Sequence, residues 1–95
     1  MKHVHLLITG HVQGVGFRDW LVRKAAKLHL TGWVRNLGAD TVETVLSGED
    51  NAVDTCVQLC WHGPSLAHVN HISLTETTAP EEPFFIRRSS IASHG

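Results

Sequence analysis

The chain has 95 residues, of which 42% are hydrophobic, and a formal net charge of −1. This length gives room for one hydrophobic core, so we expect a single domain over residues 1–95. A net charge so close to zero excludes the broad basic surface that nucleic-acid-binding proteins usually carry. Any bound anion must therefore be held at a local site.

The N-terminal segment predicts neither export nor membrane insertion. A short alternating run begins at Val4, and no apolar stretch as long as a signal peptide or a membrane span precedes it. We expect a cytoplasmic protein that inserts into no membrane, and we expect it to be a monomer.

The first part of the chain predicts a strand, a loop and a helix. Residues 2–9 alternate between two faces, which is the period of a half-buried strand. Residues 10–16 contain three glycines, which break regular structure and predict a tight loop. From residue 17 the apolar side chains repeat with a helical period, and the amphipathic helix that they predict ends near His29.

The middle of the chain predicts a hairpin and a second helix. Residues 31–37 and 41–46 are β-prone runs, and the three residues between them make a turn-length spacer. Residues 47–50 provide cap residues and first-turn acids for a helix. The apolar stripe of this helix ends before Gly63 and Pro64, which stop helices.

The last third predicts two further strands and a tail. Residues 66–77 form a strand pattern whose apolar parity slips between Val69 and Ile72, as at a β-bulge. Residues 84–87 predict a brief last strand, and the polar residues 89–95 are expected to form a flexible tail. This order of elements predicts a ferredoxin-like α/β sandwich of the α+β type, in which two helices cover one face of an antiparallel four- to five-stranded sheet.

The glycine-rich loop is a candidate anion site, because the N–H groups of a helix start lack partners within the helix. Gly14 and Gly16 allow the chain to curl, and Arg18 lies where the helix dipole disfavours a cation unless an anion binds. The planar guanidinium can hold two phosphate oxygens at once. Alternatively, the loop is a plain turn and Arg18 pairs with Asp19 or another surface carboxylate, and the glycines alone do not decide between the two interpretations.

Asn36 is a second candidate. It shares its strand parity with Val34, so a polar side chain points inward near the end of a predicted strand. A buried amide needs hydrogen-bond partners. The Asn36 side chain either bonds its own backbone before Gly38, as turn residues do, or holds a water molecule.

Two segments carry a resemblance to a known family. The sequence GHVQGVGFR at residues 10–18 resembles the first signature of the acylphosphatase family, and GWVRN at residues 32–36 resembles the second. Residues 42–43 and the predicted last strand at 85–87 also resemble the corresponding parts of the family, so the resemblance spans residues 4–88.

The resemblance implies a ferredoxin-like sandwich that hydrolyses the carboxyl–phosphate bond of small acyl phosphates without a metal or another cofactor. It implies that Arg18 is the catalytic arginine and Asn36 the catalytic asparagine. The loop residues that it assigns to phosphate binding are Gln13, Gly14, Val15, Gly16, Phe17 and Arg18.

Two departures from the family pattern bear on these expectations. Family members often have Asp-Gly in the hairpin, whereas this chain has Ala39-Asp40, so we expect one of these two residues to adopt a strained conformation. Many members have an aromatic residue where this chain has Asp19, and its carboxylate could compete for Arg18.

The implied chemistry needs few groups. The leaving carboxylate has a conjugate acid with a pKa of about 4, so it departs without a general acid. What remains is to neutralise the phosphoryl oxygens and to hold a water in line. Because the amide of Asn36 is too weak a base, we expect it to orient the water while substrate phosphate oxygens accept the proton. His11 is then a loop residue, and Arg35 is expected to be a solvated or phosphate-steering cation.

Three other interpretations of the sequence compete with this one. Cys56, Cys60 and His62 lie close together, but cysteines at helical core spacing usually pack as small apolar residues, and we expect no metal site. A non-catalytic phosphate-binding or interaction module, related to a domain of carbamoyl-transfer maturation proteins, remains the alternative function. RNA binding on an open sheet face fits poorly with His3 and His5.

Overall fold

The computed structural model describes residues 1–92, which form a five-stranded sheet covered on one face by two helices. The elements are β1 (Lys2–His11), α1 (Phe17–Lys27), β2 (Thr31–Leu37), β3 (Thr41–Gly48), α2 (Asp50–His62), β4 (His68–Glu76) and β5 (Phe85–Arg87). The strand order is β4-β1-β3-β2-β5. This is the ferredoxin-like α+β sandwich that the sequence predicts. No helix within the described residues is both long and apolar enough to cross a membrane.

The sheet is mixed, and this corrects the prediction of an antiparallel sheet. Strand β1 pairs with β3 and β4, and β2 pairs with β3, in antiparallel fashion. Strand β5 pairs with β2 in parallel, with Phe85 opposite Gly32 and Arg87 opposite Val34. The chain reaches this edge through the long segment after β4, which lets β5 run in the same direction as β2.

The core lies between the sheet and the helices, and its residues follow the predicted periods. Alternate residues of the strands and one stripe of each helix are buried, because these positions face each other across the sandwich. The buried side chains of this core include Val4, Leu6, Ile8, Phe17, Leu21, Ala25, Val34, Val42, Leu46, Val53, Cys56 and Cys60. The two cysteines are free thiols and pack here as small apolar residues, as expected.

Helix α1 ends two residues before the predicted position at His29. His29 has a φ of +57°, and the N–H of Leu30 donates to the carbonyl oxygen of Ala25 at 3.0 Å. This hydrogen-bond pattern is that of a Schellman motif, which closes a helix with one left-handed residue. Leu30 is buried, so its burial stabilises the helix end.

The predicted irregularity of β4 is confirmed as a bulge. Thr9 of β1 pairs with His71, whereas the next residue, Gly10, pairs with Val69, so Asn70 is the extra residue. Gly10 has a φ of +136°, and a Cβ at this position would lie 2.2 Å from the carbonyl oxygen of His68. Only glycine permits this close approach of the two strands.

Candidate active site

The start of α1 is open to a ligand. Gly16 occupies the N-cap position with a φ of +79°, and no side chain in the described part of the chain caps the helix. The first helical hydrogen bond joins the N–H of Trp20 to the oxygen of Gly16. The N–H groups of the preceding helical residues have no acceptor within the helix, which is the arrangement that binds anions.

A cavity of about 200 Å³ lies at this helix start. It is lined by Val12, Gly14, Gly16, Phe17, Arg18, Asp19, Asn36 and Arg87. The volume is below that of pockets for drug-sized molecules and suits a small ligand. The structure therefore brings both sequence-predicted catalytic residues into one cavity, together with most of the predicted loop residues.

Two predicted loop residues, Gln13 and Val15, do not line the cavity. Val15 is half-buried and packs against the core. The side-chain amide of Gln13 points to the hairpin between β2 and β3, where it donates to the oxygens of Thr41 at 2.9 Å and of Gly38 at 3.1 Å. Gln13 thus joins the loop to the hairpin through its side chain, a role that the sequence did not indicate.

Arg18 makes no ion pair with the described residues. Its Nη1 donates to the hydroxyl of Ser90 at 3.3 Å. Asp19, the expected competitor, is instead bound to Arg87, with 2.6 Å between Nη1 and Oδ1. Desolvation and the positive charge of Arg87 lower the pKa of the Arg18 guanidinium, while Asp19 opposes the shift. The alternative interpretation, in which Arg18 pairs with Asp19, is therefore wrong, and the neighbouring charge that acts most on Arg18 is the cation of Arg87.

Asn36 lies near the end of β2 and faces the helices, as its parity with Val34 predicts. Within the described residues its side chain forms no hydrogen bond, so the interpretation that it bonds its own backbone is wrong. Its main chain is held firmly, because its oxygen accepts the N–H of Ile91 at 3.1 Å.

The hairpin after Asn36 is not strained at the expected residues. Gly38 takes the left-handed conformation with a φ of +64°, whereas neither Ala39 nor Asp40 has a positive φ. The expectation of strain at Ala39-Asp40 is therefore wrong, because the glycine one position earlier makes the turn.

The C-terminal segment contributes more than the sequence indicated. A flexible tail was expected from Ser89 onward, yet Ile91 bridges to Leu37 and the N–H of Gly38 donates to its oxygen at 2.9 Å. The prediction is wrong for Ile91, and residues 93–95 lie outside the described part of the chain.

Arg87 is the site residue that sequence reasoning missed. Phe85 is buried, and Arg87 shares its parity, so both point toward the helices. The sequence does not reveal this parity, because Phe84, Phe85 and Ile86 before Arg87 are all apolar.

Arg35 lies on the opposite face of the sheet from the cavity. Its Nε donates to Glu43 at 2.7 Å, and its guanidinium packs 4.8 Å from the ring centre of Trp33. The expectation of a solvated or phosphate-steering cation is wrong, since the side chain is held by an ion pair on the face without helices.

Comparisons with known proteins agree with one another. A sequence model of the family described as Acylphosphatase matches residues 4–86. A curated relative named Acylphosphatase, from Acidiphilium cryptum, is 45% identical over 86 residues, which cover 90% of this chain and 94% of the relative. The solved structure of an acylphosphatase from Coxiella burnetii is 36% identical, has a TM-score of 0.87 and is matched over 92% of each chain. A structure of full-length HypF in its phosphate- and nucleotide-bound form has a TM-score of 0.90 at 27% identity, covering 99% of this chain but 12% of HypF.

Proposed function

This chain belongs to the acylphosphatase family, and we propose that the cavity at the start of α1 is its active site, with Arg18 and Asn36 as catalytic residues. The reaction is the hydrolysis of a small acyl phosphate to a carboxylate and inorganic phosphate. One observation carries the assignment: Arg18 and Asn36, from different elements, line the same cavity at an uncapped helix start.

Phosphate binding follows from the charges at the site. The main-chain N–H groups at Gly16, Phe17 and Arg18 face the dianion, and the Arg18 guanidinium holds its oxygens in the manner of a fork. Gly14, with a φ of +73°, shapes the loop around it. The resemblance also assigned Gln13 and Val15 to phosphate binding. Gln13 binds the hairpin and Val15 packs against the core, so both stabilise the loop.

Water attack needs no enzymic base in this cavity. Asp19 is the one carboxylate among the lining residues, and a hydrogen bond and the charge of Arg87 lower its pKa, so it is a poor proton acceptor near neutrality. Asn36 orients the water and the substrate phosphate takes the proton. The leaving carboxylate departs without a general acid, so the reaction rests on positioning and electrostatics.

Arg18 and Asn36 of a single chain line the cavity, and we propose a monomer that works in the cytoplasm without a cofactor. The non-catalytic alternative is not favoured, because the relative from Acidiphilium cryptum has nearly the same length and is named for the activity. RNA binding is disfavoured as well. On the open face of the sheet the guanidiniums of Arg35 and Arg88 already lie over the Trp33 ring, and each is paired with a carboxylate, so neither the ring nor the charges are free to bind a nucleotide.

The test is the hydrolysis of acetyl phosphate by two variants. We expect Arg18→Ala to lower kcat/KM by about 1000-fold, because both binding and charge stabilisation are lost, and Asn36→Ala to lower kcat by about 100-fold. Inorganic phosphate should still compete in the Asn36 variant but not in the Arg18 variant.

Two exposed residues provide matched controls for this test. Arg23→Ala changes an exposed arginine on the same helix, and Asn51→Ala changes an exposed asparagine on α2. Both controls should keep the activity of the unmodified protein. Full activity in either the Arg18 or the Asn36 variant would overturn the assignment.

A further inference from the structure

We propose that Arg87 is a second phosphate-binding guanidinium, which Asp19 holds at the cavity until the anion binds, an inference that rests on the proposed function. In the free protein Arg87 binds the Asp19 carboxylate. In the bound state its guanidinium turns to the phosphoryl oxygens beside Arg18. Asp19 thereby lowers the affinity of the site for phosphate, and Arg87 raises it.

The position of Arg87 follows from the pairing of two strands. Because β5 runs parallel to β2, Arg87 lies directly opposite Val34, whose side chain is buried under the helices. Asn36 is the next residue of β2 on that face. Arg87 therefore lines the cavity from the side of β5, while Arg18 lines it from the first turn of α1.

The charges at the cavity favour an anion. The cavity is lined by the guanidiniums of Arg18 and Arg87 and by the carboxylate of Asp19. One ion pair neutralises Arg87, and Arg18 is left without a carboxylate among the described residues. Both guanidiniums line the same cavity, and the pKa of Arg18 is lowered first by desolvation and then by repulsion from the positive charge of Arg87. A dianion between them would relieve this repulsion.

The Asp19–Arg87 pair can open without large loss of stability. Its side chains are 59% and 46% exposed, and ion pairs at such exposure contribute little. Only Nη1 of Arg87 binds the carboxylate, and within residues 1–92 its remaining N–H donors have no other acceptor, so they can bind a second one. The pair joins α1 to β5, so a purely structural role is the competing explanation.

The two explanations predict opposite effects of Asp19→Asn on the affinity for phosphate. If the pair only joins α1 to β5, then Asp19→Asn and Arg87→Gln break the same contact and change the site in the same direction. If Arg87 binds phosphate, removing the carboxylate strengthens binding while removing the guanidinium weakens it. Because loss of the Asp19 charge strengthens anion binding by itself, the deciding result is an Asp19→Asn effect that is larger when Arg87 is present than in the Arg87→Gln variant.

The experiment measures the inhibition constant of inorganic phosphate and the KM for acetyl phosphate. We expect Arg87→Gln to raise both about tenfold with a smaller change in kcat, the loss expected for a charged hydrogen bond. Asp19→Asn should lower both about threefold, because it removes a negative charge beside the ligand and frees Arg87. Arg87→Lys should recover part of the affinity.

A comparable ion pair away from the cavity is the control. Lys2 and Asp54 are 2.7 Å apart, with side chains 37% and 59% exposed, at the opposite end of β1 from the loop. Asp54→Asn should leave both constants unchanged. Urea unfolding of every variant checks that the fold is kept.

Three outcomes overturn the proposal. Equal weakening by Asp19→Asn and Arg87→Gln would assign the pair a structural role, and unchanged constants in both would remove Arg87 from the site. If the unmodified protein hydrolyses acetyl phosphate normally and the variants give either of these results, only the role of Arg87 is refuted. Failure of the unmodified protein to bind phosphate or to hydrolyse acetyl phosphate would instead refute the proposed function, and with it the role of Arg87.

Discussion

The side-chain amide of Gln13 donates to the main-chain oxygen of Thr41 at 2.9 Å. Gln13 lies in the loop before α1, and Thr41 is the first residue of β3 after the hairpin. The same amide also reaches the oxygen of Gly38 at 3.1 Å. One side chain thus joins the loop before α1, whose first turn contains Arg18, to the hairpin that follows Asn36 at the end of β2.

We expect Gln13→Ala to lower the free energy of unfolding by about 1–2 kcal/mol, because main-chain oxygens of the hairpin lose a donor. It should also lower kcat about tenfold, since a small displacement between catalytic groups reduces turnover strongly. Urea unfolding and acetyl phosphate kinetics measure the two effects. Gln58→Ala, which changes an exposed glutamine on α2, is the control. Unchanged kcat in a destabilised Gln13 variant would contradict a positioning role.

Glycine substitutions should separate close packing from backbone conformation. A Cβ on Gly32 would lie 1.9 Å from the oxygen of Val45, so we expect Gly32→Ala to destabilise the fold by about 3–5 kcal/mol. Around Gly14 there is nothing within 4 Å, and its φ of +73° leaves only conformational strain, so Gly14→Ala should lose about 1–2 kcal/mol. Unfolding by urea gives both values, and equal losses would show that the close approach at Gly32 does not matter.

Glu43 should make the stability depend on acid pH. Burial raises the pKa of its carboxyl, but hydrogen bonds from His5 and Arg35, both at 2.7 Å, outweigh burial and hold the pKa below its ordinary value. A depressed pKa means that the carboxylate stabilises the fold above the unfolded pKa of about 4.3, and that this contribution is lost as the pH falls through the lower folded value.

We therefore expect Glu43→Gln to be less stable than the unmodified protein by about 1–2 kcal/mol at pH 7. The difference should shrink as the pH is lowered toward 3. Urea unfolding across this range measures it, with Glu81→Gln, at an exposed loop position, as the control. A difference that stays constant with pH would show that the ionised carboxylate is not its source.

The pairing of Ile91 with the end of β2 should affect turnover. Its N–H donates to the oxygen of Asn36, and proline has no N–H to donate. Ile91→Pro should lower kcat several-fold, because the backbone that holds Asn36 loses a partner. Ile91→Ala keeps the N–H and should retain the kcat of the unmodified protein. Equal kcat in the two variants would show that this hydrogen bond does not position Asn36.

Local patterns predicted most of the fold because they depend on one element at a time. The alternation of Val4, Leu6 and Ile8 is sufficient to identify β1 and its buried face. The glycines and the stripe that starts at Phe17 likewise mark the loop and α1. Asn36 could be placed inward from its parity with Val34 alone.

The remaining features depend on pairing between distant segments, which no local pattern encodes. A three-residue strand is too short to show a period, so neither the parallel direction of β5 nor the neighbours of Arg87 could be predicted. The role of the Gln13 side chain depends on where the hairpin lies after folding. Ile91 is part of a polar segment, and its pairing follows from the open edge of β2 beyond β5.

Gly16 leaves the start of α1 without a side-chain cap from residues 1–92. A serine or aspartate at that position would usually secure a helix by offering its own oxygen to the first-turn N–H groups. If the proposed site is correct, the same oxygen would occupy the space of the substrate dianion. Gly16, however, has a φ of +79°, a left-handed conformation in which a serine or aspartate is strained, so the loop that leaves these N–H groups open also resists a side-chain cap.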